Sequence, residues 1–138
     1  MQRAQRLDVS IQWETLVLHL VDDAGIRRAH QACFGVDSVT DVISQQYPPL
    51  PPEQGYQGEI IVNVQQVLRA HANNGWSCNR ELALYIAHGI DHLHGSTDAT
   101  EQTRLRMRRR ELRWLRQIQN KGFPLESLDI KVRQPRKI

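Results

Sequence analysis

Cysteine is scarce in this chain: among 138 residues only Cys33 and Cys78 carry a thiol, and they stand far apart. Two isolated cysteines exclude a disulfide framework and any CxxC zinc pair, and both read as small core residues. Long apolar runs are missing as well. No stretch approaches the roughly 20 residues that a membrane span needs, and Met1-Gln2-Arg3-Ala4-Gln5-Arg6 lacks the apolar core of a secretory signal. These absences leave a cytoplasmic chain with no membrane partner and no small-molecule cofactor as the expectation. The length suits one domain, residues 1–138, with one core.

Against these absences, histidine and aspartate are arranged with purpose. The run Ala87-His88-Gly89-Ile90-Asp91-His92-Leu93-His94-Gly95-Ser96-Thr97-Asp98 sets two imidazoles four residues apart, one above the other on a helix face. Gly95 can end that helix in the left-handed conformation, and the chain can then return Asp98 to the same point. Three protein ligands with a fourth position open is what a catalytic zinc site requires, because the open position holds the water to be activated. The spacing H-x3-H-x2-G-x2-D therefore predicts a metal hydrolase with His88, His92 and Asp98 as ligands. The competing reading is a pair of core histidines satisfied by ordinary hydrogen bonds. A metalloprotease is the rival enzyme, but H-E-x-x-H proteases carry a glutamate general base after the first histidine, and here that position is Gly89. Asp91 is expected to make a supporting or surface contact, His94 to point away from the site, and His19, His30 and His71 to have no part in it.

Charge divides the chain. Residues 1–101 carry 6 Lys/Arg against 12 Asp/Glu, a net of −6, whereas residues 102–138 carry 12 against 3, a net of +9. A basic segment beside an acidic body suits an RNA partner; a solvated basic helix is the plainer alternative. Within it, Arg106, Arg109, Arg110 and Arg113 are expected on the helix face opposite Leu105, Met107, Leu112, Trp114, Leu115 and Ile118, and are the candidate RNA-binding residues.

Periodicity and turn residues predict the elements. Val9 to Trp13 alternates weakly, and Thr15 to Val21 is a stronger strand, rich in branched residues. Asp22 and Asp23 can cap a helix running to about Cys33. Gly35 and Asp37 mark a turn, Thr40 to Ser44 a short strand, and Tyr47 to Gly55, with four prolines, a loop. Gly58 to Asn63 reads as a strand whose Asn63 caps a helix to about Asn73, stopped by Asn74-Gly75. The apolar run from Leu82 through Leu93 predicts a buried helix. A last helix is expected from Ala99 or Thr100 to Asn120. Leu128 to Val132 alternates like a further strand, in a basic tail from about residue 125 to 138.

Taken in order, these motifs resemble the YbeY family of metal-dependent endoribonucleases and ribosomal-RNA maturation factors. Against the family signature H-G-x-x-H-L-x-G-x-x-H, this sequence reads His88-Gly89-Ile90-Asp91-His92-Leu93-His94-Gly95-Ser96-Thr97-Asp98. Upstream, Leu20-Val21-Asp22-Asp23, Ile26-Arg27, Gly35, Asp37 and Thr40-Asp41-Val42-Ile43-Ser44 are similar, as are Gly58-Glu59-Ile60, Met107 and Glu111. The resemblance implies an α+β fold: a small mixed sheet packed with helices and a zincin-like metal helix beneath it. It implies one zinc per chain, a zinc-activated water attacking an RNA phosphodiester, and ribosomal RNA or a ribosomal subunit as partner. The chain departs from the pattern in four places. Asp98 stands where the third ligand is usually histidine, which hardens the site and admits another divalent metal. Phe34 replaces an arginine before Gly35, Ser44-Gln45-Gln46-Tyr47-Pro48 replaces Ser-Phe-Pro, and the first helix of the family is short or absent before Trp13. Phe34 and Asp98 favour an alternative, a non-catalytic metal-stabilised RNA- or ribosome-binding factor.

Overall fold

The structure, a computed structural model, describes residues 13–49, 51 and 55–122. Of the expected strand Val9–Trp13, residues 9–12 fall outside these residues, as does the alternating stretch Leu128–Val132, while Trp13 begins the first strand.

Three strands form one sheet. β1 (Trp13–Val21) is followed by helix α1 (Asp23–Phe34), then β2 (Val42–Tyr47) and β3 (Tyr56–Asn63). β3 lies in the middle, parallel to β1 and antiparallel to β2. Position in the sheet explains composition. Ile60, Ile61 and Val62 form a continuous apolar run because β3 is covered on both faces. Ile60 and Val62 pack against Val67, Leu82 and Leu93; Ile61 turns the other way, with Ile43, onto Ile26 of α1. β1 is an edge strand, and Leu16, Leu18 and Leu20 on it remain about half exposed.

The remaining elements are helices: α2 (Val64–Asn74), α3 (Cys78–Leu93) and α4 (Glu101–Asn120). Local chemistry sets their ends. Asp22, Asn63, Ser77 and Thr100 each accept a backbone N–H of the following first turn, the N-cap interaction worth about 1 kcal/mol. Gly35 and Gly75 close α1 and α2 at positive φ. Asn63 also fastens three elements together. Its side-chain amide donates to Asp23 Oδ1 at 2.7 Å and to the Thr40 carbonyl at 3.2 Å, and Asp23 in turn receives both terminal nitrogens of Arg69 from α2.

Three expectations are corrected in detail. The second strand begins two residues later than Thr40, because Asp41 spends its carboxylate on the Val42 N–H, and it runs on to Tyr47 before the prolines stop it. The metal helix begins at Cys78, four residues before the apolar run. The expected apolar face of α4 is only partly buried: Met107 and Leu115 are enclosed, while Leu105 and Ile118 are each 41% exposed.

α3 lies directly on the sheet, and Gly89 is the reason it can. A Cβ at this position would sit 2.7 Å from Ile60 Cγ2 and 3.2 Å from Val42 Cγ1. Ser44 Oγ donates to the Gly89 carbonyl at 2.8 Å across the same contact. On the helix so seated, His88 reaches Glu111 of α4.

Candidate metal centre

His88 and His92 lie one turn apart on α3, and the turn after Leu93 brings Asp98 back to them. Gly95, at φ +89°, makes that turn possible. The Nε2 atoms of the two histidines are 3.1 Å apart, and Asp98 Oδ2 lies 3.7 Å from the first and 3.5 Å from the second. A tetrahedral ion bound at ~2.0–2.1 Å would hold its ligands ~3.3–3.4 Å apart, so the three separations match the edges of such a site. All three atoms fall within 4.8 Å of one another, and this cluster could hold a metal ion.

Hydrogen bonds on the far side of each ring decide what the inward nitrogens present. His92 Nδ1 faces the Ser96 carbonyl at 3.1 Å, an acceptor only, so the neutral ring would carry its proton on Nδ1 and leave a lone pair on Nε2. His88 Nδ1 faces Glu111 Oε2 at 3.0 Å, which favours the same tautomer. Two lone pairs directed at one another across 3.1 Å repel, and a shared cation, or a proton on His88, removes that repulsion. The arrangement of carboxylate, imidazole and open nitrogen is the one that orients a metal-binding histidine and raises its basicity.

The supporting residues are buried. Glu111 is 2% exposed and Asp91 1%. The Glu111 carboxylate raises the pKa of His88, against the effect of burial. Burial in turn pushes the Glu111 carboxyl up; His88 draws it down and the nearby Asp91 carboxylate pushes it further up. Asp91 is itself held by α4: Arg110 Nε donates to Asp91 Oδ1 at 3.0 Å, and Ser96 Oγ donates to the same oxygen at 2.7 Å. Arg110 also reaches Ser96 Oγ at 2.9 Å. A chain of contacts thus runs from Arg110 through Asp91 and Ser96 to the His92 ring.

Arg110 therefore does not lie on the outer face of α4 with its neighbours, as the sequence pattern suggested. A face assigned from apolar residues alone misses a cation whose partner, Asp91, is buried on the facing helix. Arg106, Arg109 and Arg113 do not line the cleft beside the His88–His92–Asp98 cluster. That cleft, about 240 Å³ in volume, is bounded by His88, Asp98 and Glu111 together with Asp41, Tyr85, Arg104 and Arg108. The two arginines were not singled out from the sequence. The available signal was their spacing, seven and three residues before Glu111, which puts all three on one stripe of α4.

The other histidines are accounted for elsewhere. His19 pairs with Glu59, His30 with Ser38, and His71 with the Trp76 carbonyl. His94 lines an apolar groove between α3 and α4. Gly89, packed on Ile60, leaves no space for a glutamate of the metalloprotease pattern. Among the described residues no helix is long and apolar enough to cross a membrane.

Comparison with known proteins agrees with this geometry. The family described as Endoribonuclease YbeY matches residues 1–119. A protein named Endoribonuclease YbeY from Roseiflexus sp. (strain RS-1) is 37% identical over 83 residues, 55% of this chain and 52% of the relative. The protein of that name from Desulforamulus reducens is 35% identical over 100 residues, covering 68% and 65%. The one from Myxococcus xanthus is 30% identical over 141 residues, covering 99% and 47%. The chain thus spans about half to two thirds of the length of these curated relatives. With the signature histidines, the matched segment and the relatives in agreement, the chain belongs to the YbeY family.

Proposed function

We propose that this chain is a metal-dependent endoribonuclease acting in ribosomal RNA maturation in the cytoplasm, with His88, His92 and Asp98 holding one zinc ion. The observation that carries the reading is the convergence of two imidazole Nε2 atoms and one carboxylate oxygen at tetrahedral spacing. It is supported by the names of the relatives, which are those of endoribonucleases. Bound there, zinc would supply a coordinated water acidified toward a pKa of about 7 and a Lewis acid for a phosphodiester oxygen. Every other part belongs to the chain. Glu111 fixes the tautomer and tilt of His88, the Ser96 carbonyl does the same for His92, and the cleft beside them receives the phosphodiester. Arg109 and Arg113, exposed on α4, and the half-exposed Arg106 would meet phosphates further along a bound strand, contacts that give affinity without sequence choice.

The second reading, a metal-stabilised RNA- or ribosome-binding factor without catalysis, is favoured by two observations. Phe34 is 55% exposed at the end of α1, and Asp98 adds a negative charge to the ligand set. Elemental analysis after gel filtration, beside cleavage of a ribosomal RNA fragment, separates the two. About one zinc per chain and cleavage that disappears in His88→Ala, with RNA binding retained, supports the nuclease. Trace cleavage unchanged in His88→Ala points to a contaminant and to the binding role.

A further inference from the structure

We propose that Arg104 and Arg108 form a two-point clamp for one backbone phosphate of the RNA, holding the adjoining phosphodiester against the His88–Asp98 side of the cleft. This inference rests on the nuclease reading for its substrate, but its observations are separate from the metal ligands. Arg104, Arg108 and Glu111 occupy one stripe of α4 at intervals of four and three residues. Glu111 ends the stripe beneath His88. The two guanidinium groups therefore stand on the same wall as the metal ligands and one to two helical turns away, the scale of a phosphate–ribose unit.

Electrostatics makes the pair unusual. Like charges four residues apart on a helix repel and disfavour it. Among the described residues neither arginine is engaged in an ion pair, although Arg27, Arg69 and Arg110 all are. Both side chains are exposed, yet both border the cleft. A phosphate placed between them removes the repulsion and meets two planar forks of N–H donors, a geometry that arginine satisfies and lysine matches only as a point charge. Of the acidic groups of the cleft, Glu111 is buried, while Asp41 and Asp98 are exposed. Once an ion occupies the ligand cluster, the charge near the phosphate is positive.

The test is binding of a short fluorescein-labelled oligouridylate, read by anisotropy across a salt series in the presence of chelator so that nothing is cut. For the Arg104→Ala/Arg108→Ala protein, affinity is expected to fall roughly tenfold and the slope of log K against log salt to lose about 0.7, the value for one single-strand phosphate. Arg104→Lys/Arg108→Lys should keep the slope and bind more weakly than the parent protein. Arg28→Ala, on α1, should change neither. In the metal-loaded protein the double alanine variant should raise KM with little change in kcat and keep its metal. An unchanged slope, an equal loss in Arg28→Ala, or loss of metal without loss of binding overturns the clamp. Failure of the nuclease reading looks different: arginine-dependent binding with no cleavage sensitive to His88.

Discussion

Glu111 Oε2 lies 3.0 Å from Nδ1 of His88, so the helix after the metal loop sets the proton position of the helix before it. The contact predicts that Glu111→Ala weakens metal binding about 10–100-fold, measured by competition with a chromophoric chelator. Glu111→Gln, which keeps an oxygen acceptor, should fall at the smaller end. Equal affinity in all three proteins would remove Glu111 from the site.

Gly89 makes the second prediction. Ordinarily glycine to alanine within a helix gains up to about 1 kcal/mol. Here the new methyl meets Cγ2 of Ile60, a branched side chain fixed in the central strand, at 2.7 Å, and overpacking of this kind costs about 1–3 kcal/mol. Gly89→Ala should therefore be destabilised in urea denaturation. A neutral or stabilised variant would mean that α3 does not sit where it is described.

The third concerns Asp98. Asp98→Ala should lose most of its metal, whereas Asp98→His should retain one ion per chain and favour zinc over harder divalent metals. Elemental analysis after exposure to a zinc and manganese mixture reads both. Full metal content in Asp98→Ala would assign the third ligand elsewhere.

Arg110 and Asp91 give the fourth. Removing one partner of a buried ion pair leaves the other charge uncompensated, a loss of about 3–5 kcal/mol. Arg110→Ala should thus appear first as a lower melting temperature. A variant that melts normally yet binds RNA poorly would return Arg110 to the nucleic-acid interface.

The fifth is a pH effect. Hydrogen bonds from Arg69, then from Asn63, lower the pKa of Asp23 from 3.8 to about 2. A depressed carboxylate contributes stability above its unfolded value, and that contribution is lost as pH falls through the folded one. The stability of the parent protein should decline between these two values, and Asp23→Asn should flatten that part of the curve in denaturant titrations. Parallel curves would show that Asp23 is not paired in solution.

Much of the fold was legible because its signals are local. Asp22 and Asn63 as caps, Gly35 and Gly75 as stops, and the branched residues of β1 and β3 each act within a few residues of themselves. The clustering of His88, His92 and Asp98 was legible for the same reason: they lie within one helix and the turn after it. What escaped depends on partners distant in sequence. Asp91 is buried only because Arg110 arrives from α4, Gly89 is required only because Ile60 lies beneath it, and Arg104 and Arg108 become a cleft wall only once Glu111 is seated against His88. The start of α3 was obscured by Asn79, Arg80 and Glu81, polar residues in its first turn, although Glu81 is buried and receives the Asn74 amide.

The exposure of Asp98 separates the cluster's chemistry from its scaffold. Its side chain is 47% exposed on a connection between helices, and it faces His88 and His92. A substitution there leaves the scaffold in place, whereas substitutions at the buried Gly89, Asp91 or Glu111 strike the packing of α3 against β3 and α4 first. Asp98 is thus the position of the cluster where a side chain can be exchanged at least cost to folding.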